Sequence, residues 1–183
     1  MKRLIIGISG ASGASLGYKF IQALPKELEK YCVITKGAKK VLQNEEREGF
    51  HLLKQIENLE ILDNEDLGAC ISSGSFVCEA MAIIPCSQNT LAKISCGICD
   101  SLLSRAASVM LKEQRKLLLA VREMPLSAIV LENMLKLARL NVIIAPPILG
   151  YYAGKNLEEI EELLIGKWCD SLGIPSNYKR WQS

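Results

Sequence analysis

The sequence has one histidine, His51, and aromatic residues make up only 5% of it. A bilayer-spanning helix needs about 20 mostly apolar residues in a row, and no stretch here approaches that. The first apolar run, Leu4–Ile8, starts just after Lys2-Arg3 and passes directly into a glycine-rich turn. It lacks both the length and the small-residue cleavage site of a signal peptide, so a cytoplasmic protein is expected. Basic residues are not gathered into a patch: 22 Lys and Arg are scattered among 20 Asp and Glu, for a net charge of +2. Nucleic-acid affinity rests on clustered phosphate contacts, so no nucleic-acid partner is expected. A structural zinc site is also short of ligands. Cys96-Gly97-Ile98-Cys99 has C-x-x-C spacing, but there is no second such pair and His51 stands alone. Most of the seven cysteines are therefore expected to be small buried apolar residues in a reducing compartment.

The rest of the chain reads as an ordinary globular domain. It has 183 residues, 49% hydrophobic and 23% charged, enough for one full core spanning residues 1–183. Short solid apolar runs alternate with longer amphipathic stretches, the pattern of a buried parallel sheet covered by helices. The runs are Leu4–Ile8, Cys32–Thr35, Met81–Pro85, Leu117–Val121 and Val142–Ala145, with a further short strand at Leu59–Leu62. The helical stretches are Ala14–Leu24, Ala38–Glu46, Leu102–Glu113, Ala128–Leu140 and Leu157–Leu172. Ser127 is placed to cap one helix, Asn156 with Glu159 to start the last, and Gly173 to stop it. The fold class is therefore α/β: a doubly wound, Rossmann-like parallel sheet whose ligands lie beyond the strand carboxyl ends.

Three strand ends carry chemistry. The first strand ends in Gly7-Ile-Ser9-Gly10-Ala11-Ser12-Gly13, followed at once by a helix. Glycines allow close backbone approach, and the hydroxyls of Ser9 and Ser12 with the free helix amides can bind an anion. Thr35 stands where a dinucleotide-binding fold would place a ribose-clamping carboxylate, which argues against NAD. The run ending at Pro85-Cys86 continues as Ser87-Gln88-Asn89-Thr90, again a strand, a polar turn and a helix that Ser87 can cap. A later run ends in Val121-Arg122-Glu123. A charged pair at that position faces the mouth of the cleft, where Arg122 can bind a phosphate or a ring carbonyl and Glu123 can act as acid or base. Arg105 and Lys112 lie seven apart on one helical face, as a solvated stripe or an anion site. Tyr152 reads equally as a packed aromatic.

Taken together, G-A-S-G at 10–13, S-S-G-S-F at 72–76, P-C-S-x-x-T-L at 85–91, R-A-A-x-V-x-L-K-E at 105–113 and V-R-E-x-P-L at 121–126 resemble the UbiX-type flavin prenyltransferase family. L-E-N-M-L-K-L at 131–137 and a Pro-Pro followed by tyrosine extend the resemblance over nearly the whole chain. The resemblance implies an enzyme that transfers a dimethylallyl group, without a metal, from a dimethylallyl phosphate to N5 and C6 of reduced FMN. The prenylated FMN then serves a partner decarboxylase. It implies FMN contacts from Gly10, Ala11, Ser12, Thr35, Ser87, Gln88, Asn89, Thr90 and Arg122. Donor contacts would come from Lys112, Tyr152, Arg105, Arg122 and Lys167, which stands where the family usually has arginine. Glu123, with Glu45 if it reaches the site, would manage protons, and Ser12 would lie near the flavin ring. The resemblance also implies a large homo-oligomer, possibly a dodecamer, with sites shared between neighbouring subunits.

Two other readings fit fewer residues. A flavin-dependent cysteine decarboxylase shares the P-x-S-x-N-T element at Pro85–Thr90, but His51 falls outside any recognisable motif and no P-x-M-N loop follows. A non-catalytic flavin-binding module has no need of a second phosphate pocket built from Lys112, Arg122, Glu123 and Tyr152.

Overall fold

The computed structural model describes residues 1–45, 53 and 55–181. His51 and Glu46, the expected end of the second helix, lie outside the described residues. In chain order the elements are β1 (Arg3–Ile8), α1 (Ala14–Ala23), β2 (Glu29–Ile34), α2 (Lys36–Glu45), β3 (Leu59–Leu62) and β4 (Ala80–Cys86). They continue with α3 (Gln88–Ser95), α4 (Leu102–Lys112), β5 (Lys116–Val121), α5 (Ala128–Ala138), β6 (Ile143–Ile144) and α6 (Leu157–Leu172). A short 3₁₀ turn covers Cys70–Ser72.

All strand pairings are parallel, and the order across the sheet is β3-β2-β1-β4-β5-β6. Consecutive connections run outward in one direction from β1 and in the other from β4. The order reverses between these two strands, and their carboxyl ends open the crevice in which such folds bind ligands. Side chains alternate between two buried faces, as expected of a sheet covered on both sides. Leu4, Ile6, Ile8, Ala82, Ile84, Leu118 and Ala120 pack on one face with Phe20 and Ile21 of α1 and Trp168 of α6. Ile5, Met81, Ile83, Leu117, Leu119 and Val121 pack on the other with Leu91 of α3, Leu103 and Ala107 of α4, and Val130 of α5. No helix among the described residues is long and apolar enough to cross a membrane.

The caps follow the sequence. Ser127 accepts a hydrogen bond from the Val130 amide, Asn156 accepts one from the Glu159 amide at 2.9 Å, and Gly173 is left-handed at φ 78°. Glu159 turns its carboxylate back onto the Lys155 amide at 2.8 Å, one residue before the cap. Most of the cysteines are buried, as expected. Cys32, Cys78, Cys86 and Cys169 are buried, but Cys70 and Cys96 are exposed and Cys99 is half-buried. The last two lie in the turn between α3 and α4, outside both apolar layers.

Candidate active site at the sheet switch point

The loops after β1, β4 and β5 are fixed by hydrogen bonds that extend the sheet beyond its ladder. Ser9 is fully buried; its hydroxyl donates to the Pro85 carbonyl at 3.0 Å and accepts from the Ser87 amide at 2.8 Å. This corrects the expectation that Ser9 offers its hydroxyl to an anion, because both its donor and its acceptor capacity are used inside the protein. The Arg122 amide donates to the Cys86 carbonyl at 3.0 Å, which fastens the β5 loop to the β4 loop. Gly10 lies against Gly37: a Cβ built on Gly10 would stand 3.0 Å from the Gly37 Cα, so any side chain there would force the β1 loop and the start of α2 apart.

These loops border a cleft of about 640 Å³, lined by Gly10, Ala11, Ser12, Thr35, Ser87, Gln88, Asn89, Thr90, Arg122 and Glu123. The volume suits a cofactor or a small organic ligand. The helices α2, α3 and α4 start at this cleft, capped by Thr35, Ser87 and Ser101. The Ala38 amide donates to Thr35 Oγ1 at 3.1 Å, the Thr90 amide to Ser87 Oγ at 3.3 Å, and the Ser104 amide to Ser101 Oγ at 3.4 Å. Each cap uses one amide, while the other amides of a first helical turn have no intrahelical acceptor and carry the positive end of the helix dipole. Several helix starts around one cleft, joined by the Arg122 guanidinium, make a strong site for a phosphate-bearing ligand.

Glu45 reaches the site from the end of α2. Its Oε1 accepts from the Ser12 hydroxyl at 3.0 Å and from the Gly13 amide at 2.8 Å, so it caps α1 where Gly13 has no side chain to do so. Glu123 Oε1 accepts from the Met124 amide at 3.1 Å. Residues not singled out from the sequence complete the walls: Lys36, Asn64, Glu65, Lys93, Asp100, Ser101 and Ser104. Asn64 accepts from the Leu102 amide through its carbonyl and from the Leu103 amide through Oδ1, tying the end of β3 to the start of α4. Asp100 lies below the ordinary carboxylate range, held there chiefly by the hydrogen bond from Lys93 at 2.7 Å. Lys36, Lys93 and Ser104 lie within α2, α3 and α4, and Asn64, Glu65, Asp100 and Ser101 in connections, so none belongs to the three strand ends that the sequence marks. Cys86 is fully buried and its thiol is pushed far up by desolvation, which removes it as a nucleophile near neutral pH.

Four expected donor contacts lie outside this cleft. Arg105 donates from Nε to the Ser72 carbonyl at 3.0 Å. Lys112 pairs with Glu113 beside Gly74. Helix α4 begins at the cleft, and 11 residues at about 1.5 Å each carry Lys112 roughly 16 Å away, toward the amino edge of the sheet. Tyr152 is half-exposed in the loop before α6, with its ring edge-to-face against Trp181 at 5.1 Å. Lys167 projects from α6. Trp181 is held near Tyr152 by the tail before it: Arg180 forks onto both Asp170 oxygens at 2.7 and 2.8 Å and stacks on Tyr178. Among the described residues no cluster of His, Cys, Asp and Glu could hold a metal ion.

The fold and cleft define an α/β protein with a polar cleft, suited to a phosphate-bearing ligand, at the reversal point of a parallel sheet. The Flavoprotein family matches residues 1–166. The flavin prenyltransferase UbiX of Helicobacter pylori strain J99 is 50% identical over 185 residues, covering 98% of each chain. The crystal structure of AnUbiX in complex with FMN and dimethylallyl pyrophosphate superposes with a TM-score of 0.95 at 35% identity, covering 100% of this chain and 98% of that one. A dodecameric FMN-dependent UbiX-like decarboxylase from Escherichia coli O157:H7 superposes with a TM-score of 0.90 at 39% identity, covering 99% of this chain and 100% of that one. The chain belongs to the Flavoprotein family and, within it, to the UbiX-type flavin prenyltransferases.

Proposed function

We propose that this chain is a flavin prenyltransferase, acting in the cytoplasm as a single FMN-binding domain over residues 1–183. It joins a dimethylallyl group from a dimethylallyl phosphate to N5 and C6 of reduced FMN. One observation carries the reading: the loops after β1, β4 and β5 meet in one cleft of about 640 Å³. They do so in a chain 35% identical, over its whole length, to a protein crystallised with FMN and dimethylallyl pyrophosphate. The donor set fits FMN, with helix amides and Arg122 for its phosphate, small polar side chains for its ring, and Thr35 where a dinucleotide site would need a carboxylate.

Reduced FMN supplies the nucleophilic ring atoms, and the protein does the rest. Gly10, Ala11, Ser12, Thr35, Ser87, Gln88, Asn89, Thr90 and Arg122 hold and orient the flavin. Ser12, fixed by Glu45, lies beside its ring. Glu123 and Glu45 take up and return the protons released at the reacting atoms. An allylic phosphate leaves readily only when fixed cations stabilise the departing charge, the role of Arg105, Lys112, Arg122, Tyr152 and Lys167. Lysine at 167 keeps that charge but loses the bidentate fork of arginine.

Arg105 and Lys112 reach this pocket from a neighbouring copy in a homo-oligomer. Two features support assembly. Ile129 of α5 is 71% exposed and Ile148 in the loop before α6 is 72% exposed, together with Leu131, Leu135 and Leu149. Apolar surface of that kind marks a face meant to be covered, and one solved relative is a dodecamer. The product, prenylated FMN, passes to a decarboxylase that depends on it. The test is to load the protein with FMN, reduce it without oxygen, add dimethylallyl monophosphate or diphosphate, and follow the visible spectrum. A donor-dependent change is expected, and no change with either ester would count against the assignment.

A further inference from the structure

We propose that Ser9 is a positioning residue for flavin binding. Its buried hydroxyl sets the spacing between the β1 loop and the β4 loop, so that both grip one ligand at once. The inference rests on the flavin-binding reading of the cleft.

The sheet itself does not fix that spacing. The β1–β4 pairing ends at Gly7 opposite Ile83, and the β4–β5 register shifts between Ile83 and Cys86. The ladder has therefore run out before either loop begins. Past this point the Ser9 amide and hydroxyl both donate to the Pro85 carbonyl, at 3.2 and 3.0 Å. The same hydroxyl accepts from the Ser87 amide at 2.8 Å. The Ser9 carbonyl in turn accepts from the Ala11 amide at 2.8 Å, which shapes the turn through Gly10.

The division of labour at Ser87 explains why a hydroxyl is needed at Ser9. Ser87 Oγ accepts from the Thr90 amide and donates to Thr90 Oγ1 at 3.0 Å, so the Ser87 side chain is committed to starting α3. Its own amide must find an acceptor elsewhere, and Ser9 Oγ provides it. One atom thus joins the residue before Gly10-Ala11-Ser12 to the cap of the helix whose first amides face the cleft. A methyl group at position 9 would leave the amide of the half-buried Ser87 without that acceptor, which is costly to the extent that water cannot replace it. The backbone bond from the residue 9 amide to the Pro85 carbonyl would remain, but the link to Ser87 would be lost and the spacing of the two loops would loosen. A ligand held by both gains affinity because the second contact forms at high effective concentration, and that gain depends on their spacing.

Three proteins test this: wild type, Ser9→Ala, and Ile6→Val. Ile6 is fully buried on β1, just before the loop that holds Ser9, and its side chain has no polar group, so its truncation costs stability without touching the link. The readouts are urea stability, the FMN dissociation constant by fluorescence quenching without donor, and hydrogen exchange at the Ser87 amide. Ser9→Ala is expected to raise the FMN constant about tenfold, equivalent to ~1.4 kcal/mol, and to speed exchange at Ser87. Ile6→Val is expected to keep FMN affinity within about twofold at a comparable stability loss. Should Ser9→Ala not fold, Ser9→Cys keeps a weaker donor and acceptor and is expected to give an intermediate constant. Ser9→Ala or Ser9→Cys binding FMN as wild type does would overturn the inference, as would affinity loss in Ile6→Val that tracks its stability loss. Wild type failing to bind FMN would instead overturn the reading of the cleft, and the inference with it.

Discussion

Gly17→Ala separates the seating of α1 from intrinsic helix preference, because the two predict opposite signs. Gly17 is buried in α1, facing β4. A Cβ there would lie 2.2 Å from the Ile84 carbonyl oxygen and 3.0 Å from Ile8 Cγ1. The carbonyl belongs to a central strand that is buried along its whole length, so it cannot turn aside. The helix must therefore move outward by roughly 1 Å, which costs about 3 kcal/mol at the upper end of overpacking. Alanine in place of glycine returns about 1 kcal/mol of helix propensity, leaving a net loss of ~2 kcal/mol. For a domain of this size that lowers the melting temperature by about 4–8 °C. Because α1 begins at Gly13, directly after the β1 loop, FMN affinity should fall with it. Urea unfolding followed by circular dichroism measures the first effect, and fluorescence quenching of added FMN measures the second. A gain of about 1 kcal/mol, as for an exposed helical glycine, would refute the reasoning.

Other consequences follow from the same geometry. If Lys112 acts in a neighbouring copy's site, Lys112→Ala and Arg122→Ala proteins should each be nearly inactive as pure oligomers. Mixed oligomers of the two should recover part of the turnover, and no recovery would place Lys112 outside the chemistry. The hydrogen bonds from Arg180 and Tyr178 lower the Asp170 carboxyl to about 2. A depressed acid contributes stability above its unfolded value, near 3.9, and loses it as pH falls toward the folded value. Acid titration from about pH 4 down to 2 should therefore release the tail, read as a change in Trp181 fluorescence, and Asp170→Asn should show that change already at neutral pH. Burial pushes the Cys32 thiol to about 12 and the Cys78 and Cys169 thiols to about 11. A thiol reagent at mildly alkaline pH should label Cys70 and Cys96 first, and the four buried cysteines only on unfolding.

The sequence reveals most of the sheet because β1, β4 and β5 are buried along almost their whole length and leave solid apolar runs. β2 is an exception. It begins at Glu29, three residues before the apolar run at Cys32. Lys30 breaks the pattern, yet its side chain is almost wholly buried, with Nζ donating to the carbonyls of Pro25, Lys26 and Leu28. Only the folded turn after α1 reveals such a satisfied lysine, whose pKa burial lowers. β6 is shorter than its apolar run because it pairs on one side only. Thr35 falls outside β2 because its hydroxyl caps α2. In the site, the loop glycines and Arg122-Glu123 are legible because each sits at a strand end. The inward turn of Ser9 is not, since it depends on where Pro85 and Ser87 fall on a neighbouring strand. Nor is the distance of Lys112 from the cleft, which follows from the direction of α4.

The mass of the flavin after turnover is the sharpest test of prenyl transfer. The protein is loaded with FMN, reduced anaerobically, given dimethylallyl monophosphate or diphosphate, and denatured, and the released flavin is weighed by mass spectrometry. A flavin heavier by one five-carbon unit is expected. FMN recovered unmodified with both donors, from protein shown to bind it, would contradict the prenyl transfer while leaving the flavin cleft in place.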